Sequence, residues 1–186
     1  SGTAGGLIGS AWNTRVRECF SLSQIKADEG PVASLTGMHH AGSVEFCYAA
    51  GPVVGSIAAG LFNCPGAAVP KVINAYWDKE STGQNLACAP GIELGDAHAK
   101  TTAEMMNPDT YLSWKFSPGD AFGIVLGKTY PFLRWNPPEA AIACVKGGEA
   151  ETACFDIYFS LPVPGFDRED LVITSEGVIP LEITLM

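Results

Sequence analysis

Apolar and polar residues alternate with a period of two over short stretches of this chain, and those stretches recur. Gly6-Leu7-Ile8-Gly9 leads through a polar turn to Val16-Arg17-Glu18-Cys19-Phe20. The second segment returns as Val44-Glu45-Phe46-Cys47-Tyr48 and again as Val72-Ile73-Asn74-Ala75-Tyr76, 28 residues apart each time. The same shift carries Gly9 to Gly37, Leu7 to Leu35 and Ile25 to Val53. In the third copy the front half slips by two, so that Ala59-Gly60-Leu61-Phe62 stands where Gly5-Gly6-Leu7-Ile8 stood. Alternation of this kind turns one face of a strand inward, and strands this short cannot bury that face alone. Stacking the copies solves the problem, because equivalent strands then pair in parallel at about 4.8 Å per rung. The expected architecture is all-β, a short parallel β-helix with 28-residue repeats. Leu7, Leu35 and Leu61 form one inward ladder; Cys19, Cys47 and Ala75 a second; Phe20, Tyr48 and Tyr76 an aromatic stack.

Composition narrows the class of protein. Of 186 residues, 47% are apolar and 17% charged, enough for a packed core. The 21 Gly and 13 Pro exceed the usual share of roughly 12% and favour strands and turns over helices. Twenty acids against eleven Lys and Arg give a net charge of −9, which argues against a nucleic-acid partner. No apolar run reaches the roughly 18 residues of a membrane span, so no membrane insertion is expected. Residues 1–30 lack a basic start followed by an apolar block, so no signal peptide is expected in them.

The repeat also resembles a known pattern. Gly5-Gly6-Leu7-Ile8-Gly9 before Val16-Arg17-Glu18-Cys19-Phe20-Ser21 is similar to the GLUG repeat of bacterial surface proteins, in which a GGLVG-type segment precedes an I-x-N-C-Y-A-T-G-like one. Val44-Glu45-Phe46-Cys47-Tyr48-Ala49-Ala50-Gly51 is closer still. Val72-Ile73-Asn74-Ala75-Tyr76-Trp77-Asp78-Lys79-Glu80-Ser81-Thr82-Gly83-Gln84 resembles the way such arrays end. Thr101-Thr102-Ala103-Glu104-Met105, Pro108 to Trp114, and Gly127-Lys128-Thr129-Tyr130-Pro131-Phe132-Leu133-Arg134-Trp135 are similar to the segment that follows. The resemblance implies a right-handed helix over 1–100 with an insert at 85–100, and an aromatic capping segment over 101–135. It covers residues 1–135. Beyond it, Ala153-Cys154-Phe155-Asp156-Ile157-Tyr158-Phe159-Ser160, the turn Pro162 to Asp167, and Asp170-Leu171-Val172-Ile173-Thr174 resemble a bacterial Ig-like repeat. Seven strands of such a sandwich need about 100 residues, so the resemblance implies only a partial module of that type over 136–186. The given residues open on a repeat at Gly5-Gly6-Leu7-Ile8-Gly9, so an uncapped solenoid start is expected.

Candidate chemistry is sparse. Cys19 and Cys47 lie one period apart, inside the Cα window of a disulfide, and serve equally as small core thiols. Cys64 with Cys88, and Cys144 with Cys154, lie off the ladder and are candidate disulfides for an exported protein. His39-His40 is expected in a solvated turn between strands, and His98 is expected to be exposed. Asp78 and Glu80 are two apart and on one face, as in glycan-cleaving β-helices, but no second acidic pair or basic cluster completes a site. They read as a turn-and-cap signature. Asp156, Asp167, Glu169 and Asp170 are of the type that binds calcium in loops, and read as an acidic solvated loop. Trp77, Trp114 and Trp135 are expected to seal the end of the solenoid rather than to form a sugar platform. The glycines of Gly5-Gly6-Leu7-Ile8-Gly9 are expected at rung turns.

No cofactor, metal or catalytic residue is expected. The reading is a non-enzymatic module of a secreted or cell-surface bacterial protein, a rigid spacer or display surface. Its partners would be the rest of a larger surface protein or identical subunits, with a host or matrix glycan or protein as possible ligand. The alternatives are a filament subunit assembled by strand exchange, and a glycan-acting β-helix or accessory region of a surface peptidase.

Overall fold

The computed structural model describes residues 2–147 and 153–171, apart from 65, 67 and 90; the side chains of 141–156 and 168 also lie outside the description. The repeats fold as parallel coils. The first holds β1 (Ala4–Gly5), β2 (Ile8–Arg17), β3 (Phe20–Ser21) and β4 (Ile25–Lys26). The second holds β5 (Pro31–Ala33), β6 (Thr36–Glu45), β7 (Tyr48–Ala49) and β8 (Val53–Val54). The third holds β9 (Ile57–Ala59), β10 (Phe62–Asn63), β11 (Lys71–Ile73) and β12 (Ala75–Asp78), closed by the short helix α1 (Lys79–Thr82). Equivalent strands stack in parallel register: Val16 opposite Val44 opposite Val72, and Phe20 opposite Tyr48 opposite Tyr76. The inward ladder is held by the amide of Leu7 donating to the carbonyl of Leu35, and that of Leu35 to Leu61. This is an all-β solenoid of about three turns.

Residues 85–100 are not an insert. Cys88 pairs opposite Phe62 in β13 (Cys88–Ala89), and Ala97 opposite Ala75 in β14 (Ala97–Lys100). They build a partial fourth coil that continues the ladders with Ala87, Ala97 and His98. Between these anchor points the third coil runs from 62 to 75 and the fourth only from 88 to 97. The contraction hides the repeat from inspection of spacing. In the third coil Phe62 lies opposite Thr36 but Val72 opposite Val44, so two extra residues bulge between them.

One corner recurs in every full coil. Glu18, Phe46 and Asn74 all take the left-handed conformation, with φ of 51°, 50° and 47°. The amide of Glu18 donates to Glu45 O and that of Phe46 to Ile73 O. On the short fourth coil the Asp96 carboxylate takes over, accepting from the Asn74 amide at 2.8 Å. The glycines at the bend between β1 and β2 are required for a different reason than the turn expected of them. A Cβ on Gly6 would lie 2.2 Å from the carbonyl of Ser34 in the coil below, and Gly6 has no left-handed φ. Close approach of coils, rather than turn conformation, fixes glycine there.

The interior cluster includes Val16, Leu35, Val44, Cys47, Leu61, Phe62, Ala75 and Trp77. Leu35 and Leu61 are fully buried, whereas Leu7 on the first coil is 45% exposed. Residues 101–135 do not cap the end of this interior. They lie along the outer side of β7 and β12, where Met105, Tyr111, Phe122 and Tyr130 cluster with Tyr48, Ala50 and Tyr76. The segment contains α2 (Thr102–Met105), a 3-10 turn at Pro108–Thr110, and the paired strands β15 (Phe122–Gly123) and β16 (Phe132–Leu133). Beyond it, β17 (Ala140–Gly147) and β18 (Ala153–Phe159) form an antiparallel hairpin with a bulge between Cys144 and Lys146. The expected further strand through Ile173 lies outside the described residues.

Candidate functional site

Among the described residues, the most densely bonded carboxylate is Asp78, the last residue of β12, fully buried. The chain alternates inward Trp77 and outward Asp78, then turns into α1, so the carboxylate meets the first amides of that helix. Oδ1 accepts from the amides of Glu80 and Ser81 at 2.8 and 3.0 Å, a standard N-cap. Oδ2 accepts from the hydroxyls of Thr102 and Tyr130 at 2.6 and 2.7 Å. Burial and the adjacent carboxylate push the Tyr130 phenol well above its ordinary value. Glu80, the second acid of the pair, accepts the Thr102 amide at 2.8 Å. Both acids therefore hold the flanking segment to the coils.

The rest of that stretch is equally structural. Trp77 donates its indole N–H to Gln84 O, Ser81 its hydroxyl to Ala50 O, and Gln84 its side-chain amide to Val53 O. Thr101 and Glu104 form a reciprocal capping box at the start of α2. The backbone amide of Thr101 holds the Glu104 carboxyl below the usual range, so it stays an anion. A group held ionised in this way is a poor general acid.

Beside this node lies an open depression of about 440 Å³, with Tyr76, His98, Lys100, Glu104, Asn107 and Asp109 among its lining. The rings of Tyr76 and His98 lie 4.9 Å apart, and His98 Nε2 stands 3.2 Å from Asp96 Oδ1. His98 is thus half-buried on the aromatic ladder, not loose on an exposed insert. An aromatic shelf beside charges of both signs suits a polar, uncharged ligand with several hydroxyls. A second depression, of about 480 Å³, opens beside the first coil between Leu7, Ile8, Val16, Cys19 and the stems of Arg15 and Arg17.

The histidine pair departs from expectation. His39 and His40 lie inside the ten-residue β6, and the corner comes only afterwards, at Ala41 and Gly42 with φ of 54° and 81°. His39 is fully buried against Phe62, with Nε2 3.1 Å from Thr14 O. His40 points the other way and stacks on the exposed Trp12, ring centroids 3.6 Å apart. The two imidazoles face opposite sides of one strand and share no ion. The tryptophans also separate: Trp77 is interior, Trp114 packs in the outer cluster, and Trp135 is 80% exposed. Together they form neither an end seal nor a platform.

Two of the acids considered for calcium are occupied. Lys128 reaches Asp167 at 3.0 Å and Asp170 at 2.9 Å. The Lys128 ammonium holds the Asp170 carboxyl below its ordinary value. The Asp156 side chain lies outside the described residues, as do those of Cys144 and Cys154. Glu169 keeps its backbone amide on Asp167. Cys19 and Cys47 are free thiols on adjacent rungs. Cys19 donates to Arg17 O and Cys47 to Glu45 O. A hydrogen bond from Cys47 lowers the Cys19 thiol to about 7, while that bond and burial push Cys47 up. Cys64 and Cys88 are also thiols, with their sulfurs 2.6 Å apart.

Sequence inspection missed Thr102 and Tyr130 as partners of Asp78. A signal for the first was present, since Thr101-x-x-Glu104 is a capping box and fixes where the flanking segment starts.

Fold and geometry define a parallel β-solenoid with a laterally packed flanking segment. No family model, curated protein or solved structure matches the chain. Among the described residues, no helix is long and apolar enough to cross a membrane.

Proposed function

We propose that the chain is a non-catalytic structural and display module of a secreted or cell-surface bacterial protein. The observation that carries this reading is the engagement of Asp78 and Glu80. The two acids that a glycan-cleaving site would need are tied up as caps and cross-links. In-register coils provide a stiff scaffold, since each coil is bonded to its neighbours along several short strands. The depression beside Tyr76 and His98 is then the surface on display, and its chemistry fits a glycan. Resemblance to the GLUG repeat over 1–135, and to an Ig-like module over 136–186, supports the surface setting.

A glycan array probed with the whole chain tests this reading. Binding that His98→Ala abolishes, with no turnover of bound glycans, is the expected result. Hydrolysis of any array member, lost in Asp78→Asn while the fold survives, would overturn it in favour of an enzyme. One observation favours a second reading, a filament subunit built by strand exchange. Among the described residues, the ten-residue β2 is paired only with β6, and an open edge of that length templates pairing with another chain. Light scattering coupled to size exclusion separates the two: a mass near 19.5 kDa supports the spacer, and a denaturant-resistant polymer the filament.

A further inference from the structure

We propose that Cys64 and Cys88 are a redox site, closing as an intramolecular disulfide that locks the fourth coil onto the third. Cys64 directly follows β10 and Cys88 opens β13, and these strands pair with Phe62 opposite Cys88. The amides of Leu61 and Phe62 both donate to Ala87 O, at 3.0 and 3.1 Å, which fixes the two backbones against each other. Both cysteines are buried, and their sulfurs face each other at 2.6 Å, against roughly 2.05 Å for a covalent bond. The coils thus bring the pair together without any rearrangement of the strands.

The location gives the bond a purpose. The fourth coil is the most sparsely paired, joined to the third by a two-residue strand on one face and a four-residue strand on another. It also carries His98 and Lys100 of the displayed depression. The oxidant required is a small or protein disulfide, such as glutathione disulfide. Cys64 attacks it as a thiolate, forming a mixed disulfide and releasing one thiol. Cys88 then attacks the Cys64 sulfur, its proton passing to the second leaving thiolate. Two protein thiols and one external disulfide become one protein disulfide and two external thiols. Burial and the Cys64 contact hold the Cys88 thiol well above its ordinary value.

The test uses the whole chain, equilibrated with glutathione disulfide, alkylated with iodoacetamide in denaturant and mapped without reduction. Trypsin leaves Cys64 in residues 27–71 and Cys88 in 80–100, and a chymotryptic cut between Cys47 and Cys64 makes the assignment unique. The expected result is a linked Cys64–Cys88 peptide. Its melting midpoint should lie higher oxidised than reduced by on the order of 10 °C. In the Cys64→Ala/Cys88→Ala double variant, reductant should leave the Cys64–Cys88 share of that shift absent. Complete alkylation of both cysteines, or a link only between other pairs, would overturn the proposal. An equal effect of reductant on the double variant and on the natural chain would do the same. None of these outcomes depends on whether the depression binds a glycan.

Discussion

At the scale of single residues, Asp78 shows how a buried carboxylate is held without a cation. Two backbone amides and two hydroxyls donate to it, and the same four bonds connect β12, α1, α2 and the Tyr130 stretch. Removing the acceptor loses a helix cap and leaves buried donors unsatisfied. Asp78→Ala is therefore expected to cost about 3 kcal/mol, read from the urea midpoint. Asp78→Asn keeps one oxygen for the α1 amides and should cost less, because either hydroxyl can turn to accept from the new amide. His39 supplies a pH dependence. Burial holds its imidazole below the ordinary value of 6.5. Its folded form resists a proton that the unfolded chain takes up. The stability it permits is full above about pH 6.5 and is lost as pH falls through the folded value. The slope is at most about 1.4 kcal/mol per pH unit for one proton. Melting midpoints of the natural chain and of His39→Gln, followed from pH 7.5 to 5, should converge towards the acid end.

At the scale of the elements, the ladders divide unequally. Leu35 and Leu61 have a coil on either side, whereas Leu7 has one. Leu35→Ala or Leu61→Ala should cost about 3 kcal/mol and Leu7→Ala about 1 kcal/mol or less, measured by denaturant titration. The coils were legible because stacking forces equivalent positions to keep one character. Val16, Val44 and Val72 stay β-branched, and Phe20, Tyr48 and Tyr76 stay aromatic. The fourth coil was not legible, because Ala87 and His98 keep the register but abandon the residue types of Leu61 and Tyr76. Its path between anchors is also shorter, which breaks a search by constant spacing. The His39-His40 turn failed for a related reason. A left-handed corner tolerates non-glycine residues such as Ala41, so sequence alone gave no sharp mark of where β6 bends.

At the scale of the whole molecule, the strands β7 and β12 are buried on both faces. Cys47, Ala49, Ala75 and Trp77 face the solenoid interior, while Tyr48, Ala50 and Tyr76 face the flanking segment. That arrangement was visible in outline: Cys47-Tyr48-Ala49-Ala50 and Ala75-Tyr76-Trp77 are apolar without alternation, and such strands need cover on both sides. An end cap cannot supply that cover, because it would leave the outer tyrosines in water. The cover is anchored by hydroxyls as well as rings. Tyr48 donates to Pro131 O, the Tyr76 hydroxyl accepts from the Leu112 amide at 2.7 Å, and Trp114 donates to Asn74 O. Trp114 also meets the rings of Tyr48, Tyr76, Tyr111 and Phe122. Trp114→Ala should cost about 3–5 kcal/mol. Because the interior cluster does not include Trp114, the loss should fall on the flanking segment first. Hydrogen exchange should show the Leu112 amide deprotected while amides inside the coils, such as that of Leu35, stay slow. Simultaneous deprotection of both would mean that the two clusters fold as one cooperative unit, and that the coils depend on their lateral cover to stand.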